Sequence, residues 1–307
     1  MPIASLVAVT SRAGLARPLQ IALFCMLWSF AFVAGKVGVA DCPPLLLLTA
    51  RFLLAGVLIL GLARLFGEHG PLRWRDIAVC ALLGLANNAL YLGFSYTGMQ
   101  TVSAGLSGLI ISANPVVTAV LAALLLNEPL TWRKIAGLAL GVIGVTFIVW
   151  HRLTLGIEAW QGVLFTLASL ASLVAGTILF KRLSPQGSLW IGNGVQNLAA
   201  GVAMAPLAFS LSSVRDITPS WPLAAAFAFL VLGGSILAYW LWFRLLKLYG
   251  ATAASAWHFV MPPLAMLFAW MVLGEAIDGR DLLGVIPVAI GIYLVTRPAR
   301  QSAPGAS

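Results

Sequence analysis

The sequence predicts an all-α membrane protein in which ten transmembrane helices form two inverted-topology five-helix repeats around a central cavity. Three observations predict this fold class. Of the 307 residues 61% are hydrophobic and only 9% are charged, whereas a soluble domain carries about 25% charged residues. Apolar runs long enough to cross a bilayer recur along the whole chain. The second half of the chain also repeats a pattern of the first half.

The apolar runs define the predicted helices. A membrane-spanning helix needs about 20 predominantly apolar residues, and the first run, Pro18–Val39, is too long for the apolar core of a signal peptide. We expect residues 1–17 to be a cytoplasmic segment and residues 298–307 to be a disordered cytoplasmic tail. The ten predicted spans are 18–39, 44–65, 75–97, 102–126, 132–150, 160–180, 188–209, 221–243, 251–273 and 280–297.

The Lys and Arg residues predict the orientation of these spans, because cytoplasmic loops of membrane proteins carry an excess of positive charge. With the N-terminus in the cytoplasm, 13 of the 18 Lys and Arg residues fall on the cytoplasmic side and 4 on the other side, while Arg51 lies within the second span. This bias predicts that both termini are cytoplasmic.

An internal repeat divides the chain into residues 18–150 and 151–297. An offset of 147 carries Pro115 onto Pro262 and Glu128 onto Glu275. Because each half has five spans, the second half enters the membrane from the opposite side. Such halves are typical of transporters, in which they expose a central site to each side in turn. The alternative is a duplication that only stabilises a helical bundle.

Several function classes find no support. The net charge of +9 is spread singly or in pairs between apolar runs, so no basic stripe exists for nucleic acid. The three cysteines, Cys25, Cys42 and Cys80, form no metal-binding spacing. The sequence contains no nucleotide-binding or zinc-protease motif, so we expect no metal, no cofactor and no enzyme activity. An intramembrane enzyme built on His258 is a remote alternative, and the kinked inverted repeats disfavour a channel.

Polar faces recur in five spans at helical spacing. Polar groups within a bilayer are costly and usually face protein or a water-filled cavity, and aromatic side chains offer flat apolar walls. The alternatives are backbone hydrogen bonds or helix packing for each Ser, and a structural hydrogen bond for His258. The candidate substrate-binding residues are Trp28, Phe32, Asn87, Asn88, Tyr91, Ser95, Ser107, Asn114, Asn193, Asn197, Tyr239, Trp242, Ser255, Trp257 and His258.

Proline marks the predicted hinges. Pro115 interrupts the fourth span, and Pro262 and Pro263 interrupt the ninth at the corresponding place. A proline within a helix removes one backbone donor and frees a carbonyl. Matched interruptions in two halves indicate a transporter binding site, although plain packing kinks are the alternative.

Four charged residues lie within the predicted spans or at their ends: Lys36, Arg51, Glu128 and Glu275. Arg51 either extends outward or pairs with Asp41, and Lys36 extends outward. The alternative for Arg51 and Lys36 is a gate or a contact with a substrate carboxylate. Glu128 and Glu275 are expected to be turn and cap residues.

Together these features resemble the EamA-type carriers of the drug/metabolite transporter superfamily. The resemblance covers about residues 18–297 and depends on the Pro and Glu elements of spans 4 and 9, on Ala50-Arg51-Phe52 and on the glycines of spans 5 and 10. The whole chain looks most like the YddG-type exporters of aromatic amino acids. The resemblance implies a carrier of the bacterial inner membrane that moves small metabolites outward. Spans 1–4 and 6–9 would line its cavity, and spans 5 and 10 would be scaffolding.

The residues narrow the cargo by elimination. Only Lys36 and Arg51 could meet an anion such as a nucleotide sugar, and no carboxylate near the middle of a span could meet a cationic drug or polyamine. A small zwitterionic solute fits better, so we expect export of aromatic and other neutral amino acids by a monomer in the lipid bilayer. The same lack of carboxylates favours facilitative transport over proton-coupled antiport, which stays an alternative because His258 could titrate.

Overall fold

The computed structural model describes residues 3–67, 73–126, 131–154, 156, 158–277 and 279–296. Glu128 and the predicted tail 298–307 lie outside these residues. The described chain is helical and contains no strand. Its first seven helical spans are α1 Ile3–Asp41, α2 Pro44–Leu65, α3 Trp74–Gly98, α4 Ala104–Leu125, α5 Trp132–Thr154, α6 Trp160–Leu183 and α7 Leu189–Leu211.

The last three spans are α8 at 221–249, α9 at 251–273 and α10 at Gly279–Thr296. Gly250 separates α8 from α9 with a φ of 82° and a ψ of 176°, a conformation that glycine adopts at no steric cost. By length and hydropathy α1–α8 could each cross a membrane, and Met261–Leu273 of α9 is a shorter apolar helix. The predicted all-α fold of ten helices is therefore confirmed.

Local chemistry fixes several helix starts. Pro44 opens α2 at a first-turn position, where its missing N–H costs nothing. The Oγ of Ser103 accepts a 3.2 Å hydrogen bond from the backbone N–H of Leu106 at the start of α4. Ser220 caps α8 in the same way at 3.1 Å from the N–H of Leu223. Such caps satisfy backbone donors that would otherwise be unpaired.

Hydrogen bonds between connections define two faces of the bundle. On the first, the N–H of Thr218 donates to the carbonyl of Asp41 at 2.8 Å, and we call it the Asp41 face. On the opposite side, the N–H of Gln186 donates to the carboxylate of Asp76 at 3.1 Å, and we call it the Asp76 face. Successive spans run between these faces in alternate directions.

The two halves pack against each other reciprocally. α2 of the first half lies along α7 of the second, and in this pair the offset is 145. A Cβ added to Gly56 would lie 2.6 Å from Cγ of Leu198, and one added to Gly201 would lie 2.8 Å from Cγ of Leu53. The second contact repeats the first with the roles of the halves exchanged, as an axis in the membrane plane requires.

Glycines bring α5 and α10 together. A Cβ at Gly144 would lie 2.6 Å from the carbonyl oxygen of Gly284, and one at Gly291 would lie 2.4 Å from the carbonyl oxygen of Gly137. Small residues allow helix backbones to approach in membranes. This pair lies apart from the aromatic interior described below, and it holds the two halves together.

Tryptophans divide between the surface and the interior. Trp28 and Trp242 are buried in the core of the bundle. Those at the span ends are exposed, as expected of residues at a membrane–water interface: Trp74, Trp132, Trp150, Trp160 and Trp221.

Candidate functional site

An aromatic cluster occupies the interior between α1, α3, α8 and α9. Trp28 lies at its centre, with ring centroids 5.2 Å from Tyr239, 5.4 Å from His258, 5.9 Å from Trp242 and 6.3 Å from Tyr91. These spacings are those of favourable aromatic pairs. All five side chains are at most 4% exposed, so the cluster is enclosed by the helices.

A small cavity adjoins the cluster between α1, α2, α3 and α8. Its free volume is about 20 Å³, which is room for about one water molecule. The cavity is therefore contracted in this conformation. The cavity is lined by Trp28, Ala31, Phe32, Arg51, Tyr91, Leu92, Ser95, Tyr96, Met99, Gly234, Ala238 and Tyr239.

Arg51 supplies the positive charge of this cavity. Its Nε donates to the hydroxyl of Ser235 and its Nη1 to the hydroxyl of Tyr96, both at 2.8 Å, and only 1% of the residue is exposed. Of the alternatives for Arg51, the side chain neither extends outward nor pairs with Asp41 among the described contacts. The carboxylate of Asp41 accepts from the hydroxyl of Ser220 instead, because it lies at the face of the bundle rather than within it.

Two π-helical turns flank the cavity at equivalent places in the two halves. Leu85–Leu90 interrupts α3 and Leu230–Ala238 interrupts α8, and the offset of 147 superposes their central residues. A π-helical turn releases backbone groups from the regular ladder and is frequent at functional sites. Here the hydroxyl of Tyr239 donates to the carbonyl of Asn87 at 2.6 Å. The amide of Asn193 donates to the carbonyl of Ser235 at 2.9 Å.

The predicted hinge prolines lie at breaks in α4 and α9. Asn114 and Pro115 begin the second half of α4 after the helix breaks at Ser112. In α9 a 3-10 turn at Ala256–Phe259 precedes Met261–Leu273, whose first turn contains Pro262 and Pro263. The prolines therefore occupy first-turn positions, which tolerate a missing N–H, rather than kinking a continuous helix.

Unpaired polar atoms are concentrated in this interior. Neither amide atom of Asn87 or of Asn88 has a hydrogen-bond partner among the described residues, and the same holds for Oγ of Ser95 and of Ser107. A buried polar group without a partner costs about 1–3 kcal/mol. Such a concentration suits positions that find partners when a solute or water enters or when the helices rearrange.

The Asp41 face is closed by charged contacts around the start of α4. The carboxylate of Glu275 accepts from the N–H groups of Ala104 and Gly105 at 2.9 and 3.1 Å. Glu158 accepts from the N–H of Ser103 at 2.8 Å and pairs with Arg152 at 3.2 Å. Carboxylates at a helix N-terminus are favoured by the helix dipole. Glu275 thus caps a helix of the opposite half.

Lys36 closes the same region from α1. Its Nζ donates to the carbonyls of Met99 at 2.5 Å and of Val102 at 2.9 Å, which are the last carbonyls of α3 and its connection. Met99 also lines the cavity. Lys36 therefore holds the end of α3 over the cavity on its Asp41 side.

The structure sorts the predicted site residues into groups. Trp28, Phe32, Tyr91, Ser95 and Tyr239 line the cavity. Trp242 and His258 complete the aromatic cluster. Asn87 and Asn88 belong to the π-helical turn of α3, and Asn193 and Asn197 support that of α8. The remaining candidates lie along α4 and α9, near the breaks: Ser107, Asn114, Ser255 and Trp257.

Seven of the twelve residues that line the cavity were not candidates from the sequence, and three of these, Arg51, Tyr96 and Gly234, lie against one another. Arg51 was considered only as one alternative among several, and Tyr96 and Gly234 received no role. A cation in the middle of an apolar run is itself a signal, since such residues usually serve a function. No local signal singles out Tyr96 and Gly234, because their role depends on the position of Arg51.

Two opposed five-helix halves around a buried aromatic and polar interior define a membrane protein of the inverted-repeat transporter type. The sequence pattern of the EamA-like transporter family matches residues 18–150 and 160–297, and the chain belongs to this family. It thereby belongs to the drug/metabolite transporter superfamily.

Curated relatives cover nearly the whole chain. An uncharacterized transporter of Synechocystis is 28% identical over 88% of this chain and 87% of its own length. A probable amino-acid metabolite efflux pump of Salmonella typhimurium is 28% identical over 91% and 96%. A Chlamydia trachomatis S-adenosylmethionine/S-adenosylhomocysteine transporter is 28% identical over 90% and 87%. A solved crystal structure shares the fold with a TM-score of 0.68 at 17% identity, over 91% of this chain and 96% of the other.

Proposed function

We propose that this transporter exports small zwitterionic metabolites, aromatic and other neutral amino acids above all, across a bacterial inner membrane by alternating access. The observation that carries the proposal is the cavity between the two π-helical turns, with its aromatic walls and its single arginine. An aromatic side chain stacks on flat rings such as Trp28 and Tyr91. The ammonium group of the solute gains from the same ring faces.

The names of the relatives support an α-amino acid as cargo. One is called an amino-acid metabolite efflux pump and others S-adenosylmethionine/S-adenosylhomocysteine transporters. S-adenosylmethionine and S-adenosylhomocysteine carry an ammonium and a carboxylate on one carbon atom, as α-amino acids do. The shared feature of the cargo is therefore the zwitterionic head group rather than the side chain.

The opposed halves supply the mechanism. In this conformation Glu275 and Lys36 close the Asp41 face above a contracted cavity. Exchange of the conformations of the two halves would open this face. We place the Asp76 face in the cytoplasm, because the predicted excess of Lys and Arg lies on that side. Reporter tags at both termini should then be reached only from the cytoplasm, and a tag reached from outside contradicts this orientation.

Transport is proposed to be facilitative and performed by a monomer. Every acidic residue that the structure describes lies at or near the end of a span, whereas proton-coupled carriers usually keep a carboxylate within the membrane. Efflux of labelled tryptophan from proteoliposomes should proceed without a pH gradient. Strict dependence on that gradient would instead support proton-coupled antiport.

The decisive experiment for the proposed function is counterflow in proteoliposomes that contain the purified protein. Unlabelled tryptophan inside the vesicles should drive transient uptake of labelled tryptophan. Phenylalanine or threonine added outside should compete with this uptake. Protein-free vesicles provide the control. If none of these amino acids supports counterflow, the cargo assignment is wrong.

S-adenosylmethionine is the second candidate, because several relatives are named for its transport. Its adenine ring would stack on the aromatic walls and its sulfonium would gain from cation–π attraction. Counterflow with unlabelled S-adenosylmethionine inside the vesicles and labelled S-adenosylmethionine outside separates the candidates. A carrier of amino acids alone shows no exchange.

A further inference from the structure

We infer that Arg51 binds the carboxylate of the transported solute. The cavity then recognises the carboxylate group itself and not only the aromatic ring. This inference rests on the proposed function and names the group that anchors the cargo. Its evidence is the burial of Arg51, the neutrality of its hydrogen-bond partners and the position of Arg51 in the wall of the cavity.

The position of Arg51 makes an unpaired charge costly. The residue lies seven positions after Pro44, which places its Cα about 10 Å along the helix axis at 1.5 Å per residue. It is 1% exposed. A cation within a membrane protein normally pairs with an anion or faces a water-filled cavity, because removal of a charge from water costs several kcal/mol.

The partners of Arg51 do not neutralise it. Its two hydrogen bonds go to the hydroxyls of Ser235 and Tyr96. Among the described residues, ion pairs join Arg75 to Asp76 and Arg152 to Glu158, and both pairs lie near the faces of the bundle. The guanidinium group has five N–H donors, so three remain for a further acceptor.

The guanidinium group of Arg51 borders the cavity and packs closely against Gly234. A Cβ at Gly234 would lie 2.7 Å from Nη2 of Arg51, so any larger residue there would displace the guanidinium group. Both residues line the cavity. Planar guanidinium and carboxylate groups form two parallel hydrogen bonds, and Nη2 with the second hydrogen of Nη1 forms such a pair of donors.

The opposite half lacks this charge. The offset of 145 that relates α2 to α7 carries Arg51 onto Gln196, and the offset of 147 carries Ser235 back onto Asn88. The first half therefore has a cation at position 51, where the second half has a neutral amide at position 196. A pocket with one charged pole suits a solute that has a carboxylate at one end and an uncharged ring at the other.

Competition on the wild-type protein tests the inference directly. Indole-3-propionate retains the carboxylate of tryptophan and lacks its amine, whereas tryptamine retains the amine and lacks the carboxylate. Because a charge-assisted hydrogen bond contributes about 1.5–3 kcal/mol, indole-3-propionate should inhibit tryptophan counterflow at a concentration at least about tenfold lower than tryptamine. Equal or stronger inhibition by tryptamine overturns the inference, whatever any variant does.

Variants separate recognition from a structural role. Arg51→Gln should abolish the tenfold preference for indole-3-propionate over tryptamine, and Arg51→Lys should keep part of it because the charge persists. Arg75→Gln removes an exposed arginine that bonds to the carbonyl of Leu183 and should leave the preference intact. A structural role would lower counterflow of Arg51→Gln with an unchanged ratio of the two inhibitors, and that result also overturns the inference. Failure of the wild type to exchange tryptophan at all would instead reject the proposed function.

Discussion

The hydroxyl of Tyr239 in the second half of the chain donates a 2.6 Å hydrogen bond to the backbone carbonyl of Asn87 in the first half. Asn87 lies in the π-helical turn of α3, and Tyr239 follows the π-helical turn of α8 directly. The bond therefore joins the two irregular turns across the interface between the halves. It also holds Tyr239 against the aromatic cluster and the cavity.

Removal of this bond should weaken the contact between the halves. Tyr239→Phe keeps the ring and deletes the hydroxyl, so we expect the free energy of unfolding to fall by about 1 kcal/mol. A lower midpoint of thermal unfolding in detergent measures the effect. Tyr249→Phe, at a position that is 37% exposed, is the control and should not shift the midpoint. An equal shift in both variants would contradict the structural role of the Tyr239 bond.

The central ring of the aromatic cluster should affect aromatic cargo selectively. One aromatic pair contributes about 0.5–1.5 kcal/mol. Trp28→Leu should therefore raise the half-saturation concentration for tryptophan about two- to tenfold. Threonine should be affected less. Trp190→Leu is the matched control, since Trp190 stacks on Trp240 at 5.1 Å and does not line the cavity. Equal losses for tryptophan and threonine would argue against ring stacking in the site.

The carboxylate of Glu275 should stabilise the closed Asp41 face. Glu275→Gln removes its charge from the N-terminus of α4, where such a charge is favoured by about 0.3–1 kcal/mol, so the open population should rise about two- to fivefold. Spin labels at the exposed positions Gln100 and Ile277 would report the distance across this face. Asp216→Asn is the control, because the carboxylate of Asp216 accepts from the N–H of Ser213 within its own turn. An unchanged distance distribution in Glu275→Gln would exclude a gating role.

The repeat predicts the opposite effect for the equivalent residue of the first half. The offset of 147 relates Glu275 to Glu128 and Ala104 to Ala251. If the halves exchange conformations, Glu128→Gln should lower the open population of the Asp41 face about as much as Glu275→Gln raises it. The same pair of spin labels measures both variants. A shift in the same direction for the two variants would contradict exchange between equivalent conformations.

Glycine at the α5–α10 contact should be essential for stability. Gly144→Ala places a methyl group 2.6 Å from the carbonyl oxygen of Gly284, and we expect a loss of about 1–3 kcal/mol from overpacking. Gly61→Ala is the matched control, because a Cβ there meets nothing within 4 Å. Alanine is favoured over glycine within a helix by about 0.5–1 kcal/mol, so this control should be slightly more stable. Thermal unfolding in detergent compares the two, and equal stability of the variants would show that α5 and α10 tolerate separation.

The ten helices and their duplication could be predicted from the chain alone, because both depend on local or periodic properties. Bilayer thickness sets the length of an apolar run, so the run from Pro44 to Leu65 was predicted with the observed bounds. The offset between Pro115 and Pro262 likewise needs no structure. The glycines of spans 5 and 10, which the family resemblance made scaffolding, pack α5 against α10 in the structure.

The arrangement of the site needed the tertiary structure, because hydropathy does not specify how each helix is rotated or which helices are neighbours. Arg51 meets Ser235 across 184 residues of sequence, and Glu275 caps α4 across 171. The polar faces of α4 and α7 carry the same sequence signal as that of α3, yet only α3 among these lines the cavity. Local chemistry thus decides which segments cross the membrane, and long-range packing decides which of their polar side chains meet.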